Sequence, residues 1–204
     1  MRTGSFAIRA GVLILVSSCG LTGRTTLSPS DYVQWGRSEG YPHRSVQHAG
    51  DIRYDLTYLT PQFELAQSIL MEEITTEDAQ AENRGKATVS GFQLKITLPG
   101  SGQDIYTYNP ESAIDLSKRS EYFAFGLKKD IRLVTKYNDT LQSSFMITEK
   151  GISRAPYATV LFEFPISPDK ISELIFDDKA LSGTTVHFGL PSIDTNKNPK
   201  LRID

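Results

Sequence analysis

The chain contains one cysteine in 204 residues, so no second thiol is available for an intramolecular disulfide. The formal net charge is −2, which lacks the basic excess that a nucleic-acid-binding face requires. The apolar run 10–16 would rise only about 10 Å as a helix, against a hydrocarbon core of about 30 Å. No other apolar stretch is long enough to cross a bilayer. These absences exclude a disulfide scaffold, a nucleic-acid partner and a membrane-spanning helix.

Recognised catalytic signatures are also missing from the sequence. It has no Gly-x-Ser-x-Gly elbow, no metalloprotease helix motif and no phosphate-binding loop. Two of its many carboxylates could still be brought together by folding as a glycosidase pair, which a sequence does not reveal. We therefore predict a protein that is not an enzyme and that binds no cofactor.

Histidines are scarce, and none of the three has a ligand-like setting. His43 and His48 lie near Asp51 and Asp55, but a five-residue gap in a loop with glycine and proline is no recognised ligand spacing. Both are predicted to be exposed loop residues. His187 lies between two apolar neighbours of a predicted strand, and it is predicted to face solvent or a polar cross-strand neighbour. None of these positions predicts a metal site.

The C-terminal segment 194–198 has the Asp-x-Asn-x-Asn opening of a calcium loop. Pro199 occupies the position where the loop needs glycine for its sharp turn, and the twelfth position would lie beyond Asp204. The pattern therefore excludes an EF-hand. A strand-ending turn is the simpler interpretation of the other acidic pair, Asp177-Asp178.

The N-terminus has the layout of an export signal. Arg2 and Arg9 are followed by the apolar run 10–16 and then by small residues. The stretch Val16-Ser17-Ser18-Cys19 resembles the bacterial lipobox. That resemblance implies diacylglycerol on Cys19, cleavage after residue 18 and acylation of the new amine. An ordinary secretory signal with a chance cysteine is the alternative.

The residues after Cys19 bear on where the protein is anchored. Gly20 stands where an inner-membrane retention signal of the enteric type carries aspartate, so we expect a lipid anchor in the outer membrane. Two or three acyl chains hold a protein stably, whereas one chain holds it only marginally. The predicted organisation is a cleaved lipoprotein signal peptide over 1–18, a lipidated cysteine and tether over 19–30, and a single β-rich domain over 31–204.

Most of that domain shows the period-two alternation of half-buried strands. The predicted strands lie near residues 52–58, 92–98, 105–108, 122–127, 131–137, 141–147, 160–164, 174–176 and 186–190. Asn138-Asp139 is predicted to be a hairpin turn. Thr60-Pro61 predicts the start of an amphipathic helix, with a short helical turn near 30–35 and a short helix after 110 as minor elements. The fold predicted is mainly β, an antiparallel β-sandwich-like domain with one amphipathic helix, and antiparallel α+β is the alternative.

Tyrosines are the one residue type in this sequence with some binding character. Tyr54, Tyr58, Tyr106 and Tyr108 lie on predicted strands and are candidates for a platform that stacks on a glycan or peptide. Tyrosines on strands more often fill the edge of a core and cross-strand ladders. We therefore favour a structural role for these tyrosines over a ligand platform.

The order of four features resembles small lipoproteins of Bacteroidetes-type bacteria. They are Tyr32-Val33-Gln34-Trp35 soon after the cysteine, a Gly-containing loop, a Tyr-rich strand, and Tyr58-Leu59-Thr60-Pro61 opening a helix. The resemblance implies an envelope protein and no particular activity. It also implies that Asp139-Thr140-Leu141 is similar to the O-glycosylation triplet of that group, although so permissive a triplet occurs readily by chance.

Together these observations favour a non-catalytic binding, accessory or structural module of the outer membrane. Its partners would be the membrane, through the lipid on Cys19, and another envelope protein. The alternatives are an envelope hydrolase acting on glycan or lipid, and a glycan- or solute-binding lipoprotein. A concave pocket with two facing carboxylates would favour the hydrolase, whereas an open surface with an apolar patch would favour the partner-binding module.

Overall fold

The structure is a computed structural model that describes residues 26–75, 77–79, 88–100, 102–109, 113–149, 155–190 and 197–203. The predicted signal peptide and Cys19 lie outside the described residues, as does most of the calcium-like segment. Within the described residues no helix is long and apolar enough to cross a membrane.

The described elements include three α-helices and eleven strands. The helices are α1 (Pro29–Arg37), α2 (Pro61–Leu70) and α3 (Ala113–Glu121). The strands are β1 (Thr26–Leu27), β2 (Arg44–Ala49), β3 (Ile52–Leu59), β4 (Ser90–Thr97), β5 (Ile131–Thr135), β6 (Thr140–Gln142), β7 (Phe145–Glu149), β8 (Tyr157–Phe164), β9 (Ile171–Asp177), β10 (Thr185–Gly189) and β11 (Lys200–Leu201). The prediction of a mainly β domain is therefore confirmed.

Two antiparallel sheets form a sandwich. One sheet has the strand order β2-β3-β4-β8-β7, and the other has the order β10-β9-β5-β6. Side chains from both sheets belong to one buried cluster, in which Tyr58 of β3, Phe92 of β4 and Phe162 of β8 lie in register across the first sheet. Such a core follows from the alternation in the sequence, because every second residue of a strand points to the same face.

The two sides of the sandwich differ in how the sheets meet. Strand β10 lies next to β2, so the two sheets approach each other along these edges, on the side called closed below. At the opposite side the chain passes from β6 in one sheet to β7 in the other through Ser143-Ser144. This side, flanked by the edges of β6 and β7, is called the open side below.

Helices α1 and α2 form a second layer with the β1–β11 pair. Thr60 caps α2, because its Oγ1 accepts a hydrogen bond from the Phe63 amide at 3.2 Å, and Pro61 takes the first helical position as predicted. Helix α1 is longer than the predicted turn and begins earlier, with Ser28 as its cap and Pro29 in the first turn. A small core joins these elements and includes Leu27, Phe63 and Leu201.

The predicted strand at 122–127 is wrong. This stretch is a π-helical turn, Tyr122–Gly126, followed by a 3-10 turn, Leu127–Lys129. Phe123 and Leu127 are buried whereas Phe125 is exposed, so the apolar residues have the spacing of a helical turn and not of a strand. Aromatic residues favour strands by propensity, but packing against the core overrides that preference here.

Two further predictions are corrected. The stretch 105–108 is a turn, not a strand, because the Asp104 carboxylate accepts a hydrogen bond from the Tyr106 amide at 3.0 Å and curls the chain. The polar stretch before residue 50 contains the strand β2, which sequence reasoning assigned to a loop. The predicted turn at Asn138-Asp139 is confirmed, with Asn138 at a φ of 65° between the paired strands β5 and β6.

Candidate functional site

The predicted tyrosine platform does not form from the β3 tyrosines. Tyr54 and Tyr58 have no exposed surface and fill the core between the sheets. The Tyr54 hydroxyl donates to Asp178 Oδ2 at 2.5 Å and also lies 3.0 Å from Ser182 Oγ, so the polar end is satisfied internally. Burial raises the pKa of both tyrosines. Tyr54 and Tyr58 are therefore core residues and not part of a ligand platform.

Tyr106 and Tyr108 are partly buried and pack against the main core. The Tyr106 ring meets Phe123 edge-to-face, with 5.2 Å between the ring centroids. The backbone oxygens of both tyrosines accept hydrogen bonds from Arg119. Because the two β3 tyrosines are enclosed in the core, the four candidates share no exposed surface.

His43 is not an exposed loop residue as predicted. It is buried, its Nε2 lies 3.0 Å from Asn198 Oδ1, and the rings of Tyr41 and Tyr58 pack edge-to-face against it. Burial lowers the pKa of His43, and the hydrogen bond with Asn198 opposes that shift. His43 therefore connects the segment that precedes β11 to Tyr58 of β3. The composition of the loop around His43 does not reveal these contacts.

The other two histidines are exposed as expected. His48 lies on the edge strand β2. His187 on β10 contacts the Glu173 carboxylate at 2.9 Å, which confirms the prediction of a polar cross-strand neighbour. In the described part of the chain, no group of three His, Cys, Asp or Glu residues could hold a metal ion.

A groove of about 390 Å³ lies between the helical layer and the outer face of the five-stranded sheet. Residues of α1, α2 and all five strands line it: Gly36, Arg37, Arg44, Asp55, Thr57, Leu59, Phe63, Glu64, Gln67, Gln93, Lys95, Glu149 and Leu161. Such a volume is in the range of small-ligand sites in proteins. We call this feature the sheet groove.

Strand register explains why residues so far apart in sequence meet in the sheet groove. Thr57 on β3 pairs with Gln93 on β4, and Gln93 pairs with Leu161 on β8. Residues directly opposite each other across neighbouring strands share a face, so they form one row across the floor. Asp55, Lys95 and Thr159 form a second row, next to the row of Thr57, Gln93 and Leu161.

Helix α2 can approach this floor because β4 carries a glycine. A Cβ atom on Gly91 would lie 2.7 Å from Glu64 Oε1, which is closer than contacting atoms allow. The absence of a side chain at Gly91 therefore lets the Glu64 carboxylate lie against the sheet. Burial raises the pKa of Tyr58, and the negative charge of the nearby Glu64 carboxylate raises it further.

Asp55, the most buried carboxylate of the sheet groove, forms ion pairs with two arginines. Asp55 accepts hydrogen bonds from Arg44, whose Nε lies 2.5 Å from Oδ1, and from Arg53, whose Nη2 lies 3.3 Å from Oδ2. The pairing raises the pKa of Arg44. Both oxygens of this carboxylate are therefore engaged by arginine side chains.

Lys95 is also committed to a defined position. Its Nζ lies 4.4 Å from the centroid of the Tyr157 ring, as in a cation–π pair. Charged and amide side chains thus surround an apolar floor provided by Leu59, Phe63 and Leu161. This arrangement can recognise polar groups.

An exposed apolar strip continues the same face beyond the sheet groove. Ile147 of β7 pairs with Leu161, and Phe145 pairs with Glu163, so both β7 side chains share the outer face. Phe145 is 51% exposed and Ile147 is 49% exposed. Phe145, Ile147 and Leu161 are called the apolar strip below.

A second cavity lies beside α3, lined by Asn109, Asp115, Lys118, Arg119, Tyr122, Lys179 and Ala180. Two of its three cations serve the fold, since Arg119 binds backbone oxygens of the turn and Lys179 binds the Asp130 carboxylate. The sheet groove and the apolar strip are therefore the stronger candidate. Sequence reasoning identified β3, β4 and β8 but not β2, and it missed the site, because period two shows which residues face outward and not which strands are neighbours.

No protein-family model, curated protein sequence or solved structure matches this chain.

Proposed function

We propose that this protein is a lipid-anchored, non-catalytic binding module of the bacterial outer membrane. The lipobox-like sequence ending in Cys19 supports the anchor. Thr26–Leu27 forms strand β1, and the interval from Cys19 to Thr26 spans at most about 25 Å when fully extended. The domain would therefore act close to the membrane that holds it.

The observation that carries the binding function is the continuous outer face formed by the sheet groove and the apolar strip. Monomeric proteins bury most such apolar groups, and an exposed patch with a polar border is typical of an interaction site. The polar border here comes from Lys95, Glu149 and Glu64, and the apolar part comes from β7 and β8. A partner protein would cover both parts at once.

The hydrolase alternative receives less support from the same geometry. A glycosidase needs one carboxylic acid that keeps its proton and a second carboxylate facing it across the bond. Asp55 is held by two arginines, which argues against it as a member of such a pair. The glycan-binding alternative loses its main support because Tyr54 and Tyr58 are buried.

Cross-linking co-purification from intact envelopes tests the proposal. The lipidated protein should recover a partner in near-stoichiometric amount, and Cys19→Ala should leave the membrane fraction and lose that partner. Lys95→Glu should reduce recovery about tenfold or more, because it reverses the charge at the centre of the sheet groove. Lys170→Glu, an exposed change on a distant 3-10 turn, is the matched control.

An empty purification from a protein that still fractionates with the outer membrane would reject the binding function. Equal recovery by Lys95→Glu and the Lys170→Glu control would reject the sheet groove as the site. Retention of Cys19→Ala in the membrane fraction would reject the lipid anchor.

A further inference from the structure

The sheet edges of this sandwich differ in how they are protected. On the closed side, β2 and β10 lie against each other. On the open side, β6 has three residues, and β7 has five residues, Phe145–Glu149, with β8 as its one strand partner among the described residues. An edge strand presents unpaired backbone N–H and C=O groups that can accept another strand. β7 is thus the longest edge on the open side.

The sequence of β7, Phe-Met-Ile-Thr-Glu, contains no lysine or proline, two residue types that natural edges use against strand addition. Its first two outward side chains, Phe145 and Ile147, are apolar and half exposed. The π-helical turn contacts β7 from the inner face, through the hydrogen bond from Thr148 Oγ1 to the Phe123 oxygen at 2.7 Å. The outer face of the β7 edge is therefore apolar and exposed.

We propose that β7 is a docking strand for an extended segment of a partner protein, which adds to the five-stranded sheet as a sixth strand. The partner segment would carry apolar residues at alternate positions, to cover the apolar strip, and a basic residue near each end. This inference rests on the proposed binding function and names the partner's chemistry. Main-chain hydrogen bonds would provide affinity, and the alternate side chains would provide specificity.

The charges around the apolar strip are the reason to expect a basic segment. Glu163 lies beside Phe145 in the register, and Glu149 follows Ile147 on the same face of β7. Neither carboxylate has an ion pair with any described cation. Lysine or arginine on the incoming strand would complement both acids.

The same register argues against a second copy of this chain as the occupant. If two β7 strands paired antiparallel around Ile147, the Glu149 carboxylate of each copy would lie opposite the Phe145 ring of the other. A charged group would then be placed against an aromatic ring with no cation beside it, which is unfavourable. A basic partner segment avoids that arrangement.

Photo-cross-linking locates the contact in intact envelopes. The benzophenone analogue of phenylalanine is placed at Phe145, where an exposed aromatic ring is already present, and at His187 as the control. His187 is exposed on β10 of the other sheet, away from the sheet groove. We expect a partner adduct from position 145 and none from position 187. An adduct of twice the protein's mass from position 145, or adducts from position 187 alone, would overturn the proposal.

Strand addition itself is tested with a synthetic probe, the peptide acetyl-KTVTVTK-amide. At saturation, the amides of β7 should exchange at least tenfold more slowly with deuterium, and those of β2 should be unchanged. Ile147→Lys should weaken peptide binding about tenfold or more because it adds a charge at the edge, and Val46→Lys should leave binding unchanged. The acidic peptide acetyl-ETVTVTE-amide should bind at least tenfold more weakly.

Unchanged exchange at β7 with bound peptide, or equal binding by the Ile147→Lys variant, would reject the docking strand. The proposed function can survive that result. If co-purification yields a partner that depends on Lys95 and does not cross-link from position 145, the strand inference fails and the binding module stands. If no partner is recovered and the peptide does not bind, both fail.

Discussion

At the scale of single residues, the buried Asp178 carboxylate has several hydrogen-bond partners. Its carboxylate accepts hydrogen bonds from the Tyr54 hydroxyl and from the backbone amides of Ala180, Leu181 and Ser182. These bonds connect the two sheets, since Tyr54 belongs to β3 and Asp178 follows β9. The tyrosine thus contributes through its position in the core and not through an exposed ring.

Replacing Tyr54 by phenylalanine tests this assignment. The change removes one donor from a buried carboxylate without altering the ring, so we expect the free energy of unfolding to fall by about 1–3 kcal/mol. Urea denaturation measures the change. Tyr137→Phe is the control, because Tyr137 is largely exposed and its change should stay within about 0.5 kcal/mol. Equal effects in both variants would refute the role given to Tyr54.

His43 makes stability depend on pH with a defined sign. Its pKa in the folded protein is lowered by burial, so the folded state binds fewer protons than the unfolded state near the ordinary pKa of about 6.5. The stabilisation is complete above about pH 6.5 and is lost as the pH falls toward the folded-state pKa. Urea denaturation at pH 7.5 and pH 5.5 should show this loss, and His43→Gln should reduce it. The exposed His48→Gln variant should retain it.

At the scale of elements, the contact between α1 and α2 depends on a glycine. A Cβ atom on Gly36 would lie 2.3 Å from a ring carbon of Phe63, so a larger residue forces the helices apart or moves the ring. We expect Gly36→Ala to destabilise the protein by about 1–3 kcal/mol despite the better helix propensity of alanine. Thermal denaturation measures it. Gly40→Ala, with no atom near the added methyl group, should have little effect.

Much of the element pattern was predictable from sequence. Period-two alternation identified β3, β4 and β8, and the Thr60-Pro61 pair located the start of α2. The strand β2 escaped prediction because its side chains are mostly polar or half-buried, which leaves no apolar alternation to detect. The turn at 122–127 was mistaken for a strand because its aromatic content resembles one, although Phe123 and Leu127 pack at helical spacing.

The candidate site was less predictable than the fold for a physical reason. The sheet groove joins α1 at Gly36 to β8 at Leu161, and its rows exist only because β4 lies between β3 and β8. Neighbour relationships between strands depend on long-range pairing, which leaves no local pattern in the sequence. The burial of His43 is a similar case, since its partner Asn198 comes from the far end of the chain.

At the scale of the whole molecule, the ends of the described domain meet in one short parallel pair. Thr26 pairs with Lys200 and Leu27 with Leu201, and the two leucines are buried in the second core. Leu201→Ala should lower the free energy of unfolding by about 2–4 kcal/mol, because it leaves a cavity beside Leu27. Chemical denaturation measures the loss, and Lys200→Ala is the exposed neighbouring control. Equal stability of the two variants would contradict this role of β11.

The β1–β11 pair has a consequence for the order in which the domain can form. A protein is synthesised from its N-terminus, so Leu27 is made long before Leu201. Among the described strands, β1 therefore has no partner until residues 200–201 have been made, and the second core is completed late. Any factor that binds the nascent chain would meet an incomplete helical layer, while local pairs such as β2–β3 form well before.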